Sequence, residues 1–429
     1  MATFVVEGGY RLSGSLRPTG NKNSALPALA ATLLASEPVT LENVPRIRDV
    51  QTLVEILRSM GAEVHWDDGI VHVDPRGVEV TRPDPVLAER IRASILLAGP
   101  LLARFGQVSL PPPGGDVIGR RRLDTHFLAF QALGAHVDLT DGFDLQGPDL
   151  RGARIFLDEP SVTATENAVM AAVRATGTTE IQNAAAEPHV QDLCHLLRAM
   201  GARIEGVGTH VLRIHGVDRL EGTRFRLGAD HTEVGSFVGL AAATGSEIVV
   251  EEAPFEHLDS TLLGFERLGV SCSREGNGLV VHGDRELEIR SDAFGHIPKI
   301  DDGPWPAFPA DLTSIAMVAA TQARGTVLIH EKMFESRMFF TDKLVGMGAN
   351  IILCDPHRAV VVGPSELRGA SLESPDIRAG MAMLLAALAA RGQSRIHNIG
   401  QIERGYERVD ERLRALGARI ERHPGGDEG

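Results

Sequence analysis

Aromatic side chains are scarce in this sequence, at 4% of 429 residues with two Trp and two Tyr, which argues against an aromatic-rich β-sandwich. Cysteine is scarcer still. Cys194, Cys272 and Cys354 stand far apart with no CxxC pair or His-rich cluster, so a disulfide framework or structural zinc site is not expected. That usage fits a reducing compartment. No apolar run reaches the ~18 residues needed to cross a bilayer, and the longest, Met381 to Ala390, reads as a buried helix. The opening MATFVVEGGYRLSG lacks a basic stretch followed by an apolar core, so no secretory signal is expected and the chain is placed in the cytoplasm. Positive charge is also short. A net charge of −14 disfavours a nucleic-acid surface and leaves any anionic ligand to a few placed basic residues.

What the chain has instead is small residues, with 46 Gly and abundant Ala, in a composition 43% hydrophobic and 23% charged. It is long enough for two to four domains. One phrase recurs at a spacing of about 70 residues: SMGAEV at Ser59, ALGAHV at Ala132, AMGARI at Ala199, RLGVSC at Arg267, GMGANI at Gly346 and ALGARI at Ala415. Upstream lies an amphipathic helical pattern, as in Val50, Leu53, Val54, Ile56 and Leu57. Gly then ends the helix in the left-handed conformation. Each copy also has a front half, a small-residue helix leading into a strand such as PVTLENV (Pro38), GTTEIQN (Gly177) or GTVLIHE (Gly325). The spacing predicts six copies of helix, strand, loop, helix, Gly turn and strand, an α/β (α+β) fold in two lobes of three.

Equivalent loops in equivalent repeats make unusual chemistry conspicuous. The second-repeat loop, PPPGGDVIGRRRLDTH, carries Asp116, Arg120, Arg121, Arg122 and His126; the fifth has Lys332, Glu335 and Arg337; the sixth has Glu403, Arg404 and Arg408. The fourth, EAPFEHLDS, has no Lys or Arg. Paired Gly beside guanidiniums suits close approach of a phosphate or carboxylate, although such runs are also ordinary solvated surface. PTGNKNSAL places Lys22 and Asn23 at a helix start, either as an anion site or as an Asn cap beside a surface Lys. In DGPWPAFPADL the prolines stiffen the approach to Asp311, which is either an N-cap carboxylate or a placed acid–base group. SPDIRAGMAML sets Asp376 and Arg378 at another helix start, and His126 alone reads as a structural histidine.

Taken together, GNKNSALP, GGDVIGRRRLDTH, PAFPADL, MFESR, DIRAG and ERGYERVDERL closely resemble the bacterial UDP-N-acetylglucosamine 1-carboxyvinyltransferases, from Gly8 to Glu411 and beyond. The resemblance implies two lobes of βαβαββ repeats (inside-out α/β barrels) with the active site in the cleft between them. The lobes would span 22–229, with a mobile loop at about 112–122, and 1–21 plus 230–429. It implies transfer of enolpyruvyl from phosphoenolpyruvate to the sugar 3′-hydroxyl, the first committed step of peptidoglycan precursor synthesis. The step is an addition–elimination through a tetrahedral phospho-ketal, without metal or cofactor. The substrates are then the only implied partners, with no nucleic acid and no membrane.

Carried over by position, Lys22, Arg92, Arg121, Arg378 and Arg404 resemble the phosphoenolpyruvate-binding cations. Asn23, Arg92, Arg121, Arg122, Ser161, Val162, Thr163, Asp311 and Met333 resemble the residues that meet the sugar nucleotide. Asp116, Asp311, Lys22 and Arg404 take the catalytic roles, with Asp311 receiving the hydroxyl proton. Three positions depart from the pattern: Thr163 where Gly is usual, Arg122 where Pro is common, and Asp116 where a reactive Cys normally stands. The last implies insensitivity to fosfomycin, which alkylates that thiol. The alternatives are an enolpyruvyl transferase acting on a UMP-type nucleotide or on shikimate-3-phosphate, and a catalytically silent nucleotide-sugar sensor.

Overall fold

The computed structural model describes residues 2–115, 118–140 and 142–425. The six outer helices all end as the spacing predicts: Gly61, Gly134, Gly201, Gly269, Gly348 and Gly417 have φ between 85° and 106°. At Gly134, Gly201 and Gly417 a Cβ would touch nothing, so backbone conformation alone selects glycine there. Any other residue would be strained by about 1 kcal/mol or more.

Each front-half helix is buried on nearly every side. In Ile377–Ala389 all but the last residue is buried, and the same holds for His231–Thr244. A helix apolar all round belongs inside a core. Small side chains let such helices approach closely: His231–Thr244, Thr313–Ala320 and Ile377–Ala389 pack on one another. In the other half of the chain Ala98–Phe105 packs on Val162–Ala172, and the 3₁₀ turn Arg92–Leu97 packs on Lys22–Ala31. Amphipathic helices such as Arg48–Ser59 lie outside, burying Val50, Leu53, Val54, Ile56 and Leu57.

Among the described residues the strands form five four-stranded sheets and one of three strands. The third repeat displays the plan in sequence. Arg154–Phe156 runs parallel to Thr178–Gln182, which is antiparallel to Val211–His215, and that strand in turn to Arg203–Glu205. With helices Val162–Ala172 and Pro188–Ala199 this is a βαβαββ unit. Three repeats are completed by distant chain, the fourth by Ser13–Leu16, which runs parallel to Glu247–Val250. Arg224–Arg226 is the parallel strand beside Val39–Glu42, and Thr3–Gly8 inserts between Gly392–His397 and Arg419–His423. Among the described residues the second repeat has no parallel strand, and Ser109 N–H donates to the Thr81 carbonyl instead.

The chain divides into two compact units. The N-terminal unit runs from Gly20 to Gly228 apart from a short loop segment ending at Arg120; that segment, the residues up to Thr19 and the chain from Ala229 onward make the C-terminal unit. Each has its own apolar core. Ser336 N–H bonds the Ile118 carbonyl at 3.2 Å and Arg120 N–H bonds Glu335 Oε2 at 3.3 Å, which groups that segment with the C-terminal unit.

Candidate active site

In the N-terminal unit the first inner helix begins at Lys22, and its cap is Asn21, whose Oδ1 accepts from Asn23 N–H at 2.8 Å and Ser24 N–H at 3.3 Å. Asn23 is therefore not the cap, and its side chain is half-buried. Nor is Lys22 a surface residue. It is buried, with Nζ 2.8 Å from Asp49 Oδ2 in the first turn of Arg48–Ser59. Sequence reasoning missed Asp49; its only signal was an acid at the next helix start.

Arg92 is held by a hydrogen bond from Nη2 to the Arg121 carbonyl at 2.8 Å. Burial, and then repulsion from the Arg121 guanidinium, lower the Arg92 pKa to about 10. Two guanidiniums kept in mutual repulsion favour a multiply charged anion that relieves it. The glycine pair has a steric reason of its own. A Cβ at Gly114 would lie 1.7 Å from the Glu89 carbonyl, and one at Gly115 2.8 Å from Arg92 Cβ. The loop passes hard against the Arg92 turn. Asp116, the next residue, lies outside the described residues.

His126 is the structural histidine anticipated, but it sits in a polar chain. Asn167 accepts from Gly99 N–H at Oδ1, so its Nδ2 donates to the Ile95 carbonyl and to His126 Nδ1. That leaves the His126 proton on Nε2, donating to Thr163 Oγ1 at 3.0 Å. Burial, aided by Arg92, lowers the His126 pKa to about 3, so the ring is neutral. Ser161 caps the helix that Val162 and Thr163 begin, its side chain accepting from Ala164 N–H. Arg122 is turned to Asp124 at 3.2 Å and Asp158 at 3.0 Å, so its charge is balanced within the unit.

In the C-terminal unit Asp311 is no helix cap. It lies in a 3₁₀ turn, Ala310–Leu312, between two arginines. Arg337 Nη2 reaches Oδ1 at 2.6 Å, and Arg378 reaches Oδ2 from Nε at 2.9 Å and from Nη2 at 2.7 Å. Burial opposes ionisation of Asp311, but the Arg378 and Arg337 guanidiniums outweigh it and hold the carboxyl far below the usual range. Arg378 also donates to Tyr406 Oη at 3.0 Å and Thr232 Oγ1 at 3.2 Å, while Asp376 caps its helix. The sequence marked Arg337 as a basic loop residue without a role; Thr232 and Tyr406 carried no signal.

Arg404 closes a short 3₁₀ turn, with Nη1 on Gln401 Oε1 at 2.9 Å. Its neighbours Glu403 and Arg408 pair with Arg422 and Glu411. Met333 is 40% exposed, and Lys332 reaches Asp301 at 2.7 Å. The structure thus gathers Lys22, Arg92, Arg121 and Thr163 in one unit and Asp311, Arg378, Arg404 and Met333 in the other.

The model of the family described as EPSP synthase (3-phosphoshikimate 1-carboxyvinyltransferase) matches residues 6–413, and the chain belongs to this family. Among curated relatives, the UDP-N-acetylglucosamine 1-carboxyvinyltransferase of Bradyrhizobium diazoefficiens is 61% identical over 422 residues, 98% of each chain. That of Treponema pallidum is 56% identical over 423 residues, 98% of this chain and 99% of its own. The enolpyruvyl transferase NikO from Streptomyces tendae superposes with a TM-score of 0.87 at 26% identity, covering 98% of both chains. EPSP synthase from Acinetobacter baumannii shares the fold, with a TM-score of 0.75 at 18% identity over 99% of this chain and 100% of its own. The two-lobed fold class read from the repeats is therefore correct. No helix among the described residues is long and apolar enough to cross a membrane.

Proposed function

We propose that this chain is a UDP-N-acetylglucosamine 1-carboxyvinyltransferase, moving enolpyruvyl from phosphoenolpyruvate to the sugar 3′-hydroxyl in the cytoplasm and releasing phosphate. Full-length identity of 61% to a relative of that name carries the reading. The setting of Asp311 between Arg337 and Arg378 gives it a chemical sense.

In this mechanism Lys22, Arg92, Arg121, Arg378 and Arg404 bind the phosphoenolpyruvate anion, and cations at its phosphate stabilise the leaving group. Asn23, Asp311, Met333 and the Ser161–Thr163 helix start, with Arg92, Arg121 and Arg122, serve the sugar nucleotide. Protonation of the donor at C3 and attack of the sugar oxygen at C2 give a tetrahedral phospho-ketal. Loss of phosphate and a C3 proton then yields the enol ether.

Asp311 is ionised at neutral pH and ready to accept a hydrogen bond from the hydroxyl, yet the two arginines make it a weak base. Donor binding corrects this. A substrate anion that engages Arg378 draws that guanidinium from Asp311 and returns basicity to the carboxylate just as the alcohol must lose its proton. The base is strengthened only when the donor is present.

Asp116 is assigned as the acid or as a group acting in product release. A free aspartic acid has a pKa of about 3.9, so keeping it protonated at pH 7 costs roughly 4 kcal/mol. An acid-shifted optimum for the chemical step follows if Asp116 donates the proton. Phosphate release measured in parallel with UDP-N-acetylglucosamine, UMP and shikimate-3-phosphate tests the assignment. Turnover with UMP or shikimate-3-phosphate alone, or with none of the three, overturns it.

A further inference from the structure

Two carboxyl groups are fully buried here, Glu331 two residues before Met333 and Asp302 at the end of the neighbouring strand. The parallel strands Lys299–Asp301 and Gly325–His330 set Asp301 beside His330, which makes Asp302 and Glu331 neighbours one residue further on. Each spends one oxygen on the backbone that follows. Asp302 Oδ1 accepts from Lys332 N–H, and Glu331 Oε1 accepts from Phe334 N–H at 3.2 Å, so the two grip the chain on both sides of Met333. The remaining oxygens, Asp302 Oδ2 and Glu331 Oε2, are buried without a donor among the described residues. The strand register places the two carboxyl groups side by side in the same buried layer. Two carboxylates in that position would repel in a site with little water, whereas one shared proton satisfies both spare oxygens.

We infer that Asp302 and Glu331 are positioning residues that share a single proton and so fix the Met333 backbone in the shape that receives the acceptor substrate. This rests on the reading of Met333 as a contact to the sugar nucleotide. The groups facing Glu331 are Asp302 on the neighbouring strand, Arg337 beyond the turn, and His357, whose ring meets the Glu331 carbonyl at 2.7 Å; Lys332 is turned away to Asp301. Burial and the Asp302 charge push the Glu331 carboxyl up to about 8, with Arg337 and the Thr313 hydroxyl pulling the other way. The proton is therefore present at neutral pH and is lost as pH rises through about 8, when repulsion loosens the grip on Lys332 and Phe334.

The test uses phosphate release by the full chain, with KM for UDP-N-acetylglucosamine and for phosphoenolpyruvate measured separately from about pH 6 to about pH 9.5. The acceptor KM is expected to rise up to tenfold for each pH unit above about 8, while the donor KM stays within about twofold. Glu331→Gln and Asp302→Asn each replace the shared proton with a fixed N–H donor, so their acceptor KM should no longer depend on pH. An acceptor KM that is flat in the parent, or still rising in the Gln variant, overturns the inference. Absence of any activity with UDP-N-acetylglucosamine at pH 7 instead counts against the proposed acceptor. The pair is then read without substrate by infrared difference spectra. A protonated-carboxyl C=O band at pH 7 that disappears in Glu331→Gln supports the shared proton, and its absence from the parent refutes it.

Discussion

Asp311→Asn tests whether one carboxylate both holds two arginines and serves the acceptor. The side chain is 24% exposed, against 12% for Arg337 and 8% for Arg378, so the group is mostly shielded from water. Removing one partner from a buried ion pair costs about 3–5 kcal/mol. Arg378 keeps Tyr406 and Thr232, and Arg337 keeps the Ala310 carbonyl, so we expect the low end, about 3 kcal/mol. The two tryptophans fall one to each unit, so in a Trp66→Phe background Trp305 fluorescence reports urea unfolding of the C-terminal unit alone. The folded-state pKa of Asp311 is depressed, so its stabilisation is complete above the unfolded value of about 3.9 and is lost as pH falls below it. The gap between parent and variant should thus be constant near neutrality and shrink in acid. Loss of the proton acceptor should lower kcat by about 10²–10⁴-fold. A variant as stable as its parent at pH 7 would show that the paired arginines contribute nothing, and a kcat within about threefold would remove Asp311 from proton transfer.

Asp49→Asn leaves the buried Lys22 ammonium without its 2.8 Å counter-ion; we expect a loss of about 3 kcal/mol, read from Trp66 fluorescence in a Trp305→Phe background, and a higher phosphoenolpyruvate KM. Gly114→Ala puts a Cβ 1.7 Å from the Glu89 carbonyl, so the loop must move; kcat should fall by about tenfold or more with little change in unfolding, and an unaffected kcat would mean the loop's path is immaterial. Fosfomycin should leave the protein unlabelled by mass spectrometry, whereas Asp116→Cys should gain one covalent adduct; an adduct on Asp116 itself would contradict the assignment. His126 should remain a neutral Nε2–H imidazole down to about pH 4 by ¹⁵N NMR, because burial and Arg92 both oppose its protonation.

The six glycine turns and the two kinds of helix were legible because each is set by residues within a few positions of one another. Gly61 and its five counterparts take a backbone conformation that penalises other side chains, and the small-residue helices announce burial by lacking a polar face. What stayed hidden was which strands complete the first, fourth and last repeats. Thr3–Gly8 pairs with Gly392–His397 across almost the whole chain, and nothing in its six residues names that partner.

The candidate site divides in the same way. Motifs in the sequence picked out Lys22, Arg121, Asp311, Arg378 and Arg404 by residue type and resemblance, Ser161 by resemblance alone, and local rules identified Asp376 at a helix start. Tertiary structure alone decided that Lys22 is buried against Asp49, that Asp311 is clamped by Arg337 and Arg378 rather than capping a helix, and that Glu331 lies beside Asp302. Charge and proton affinity depend on the distance between groups and on excluded water. Both are set by chain segments tens of residues apart that meet only when the repeats close around their inner helices.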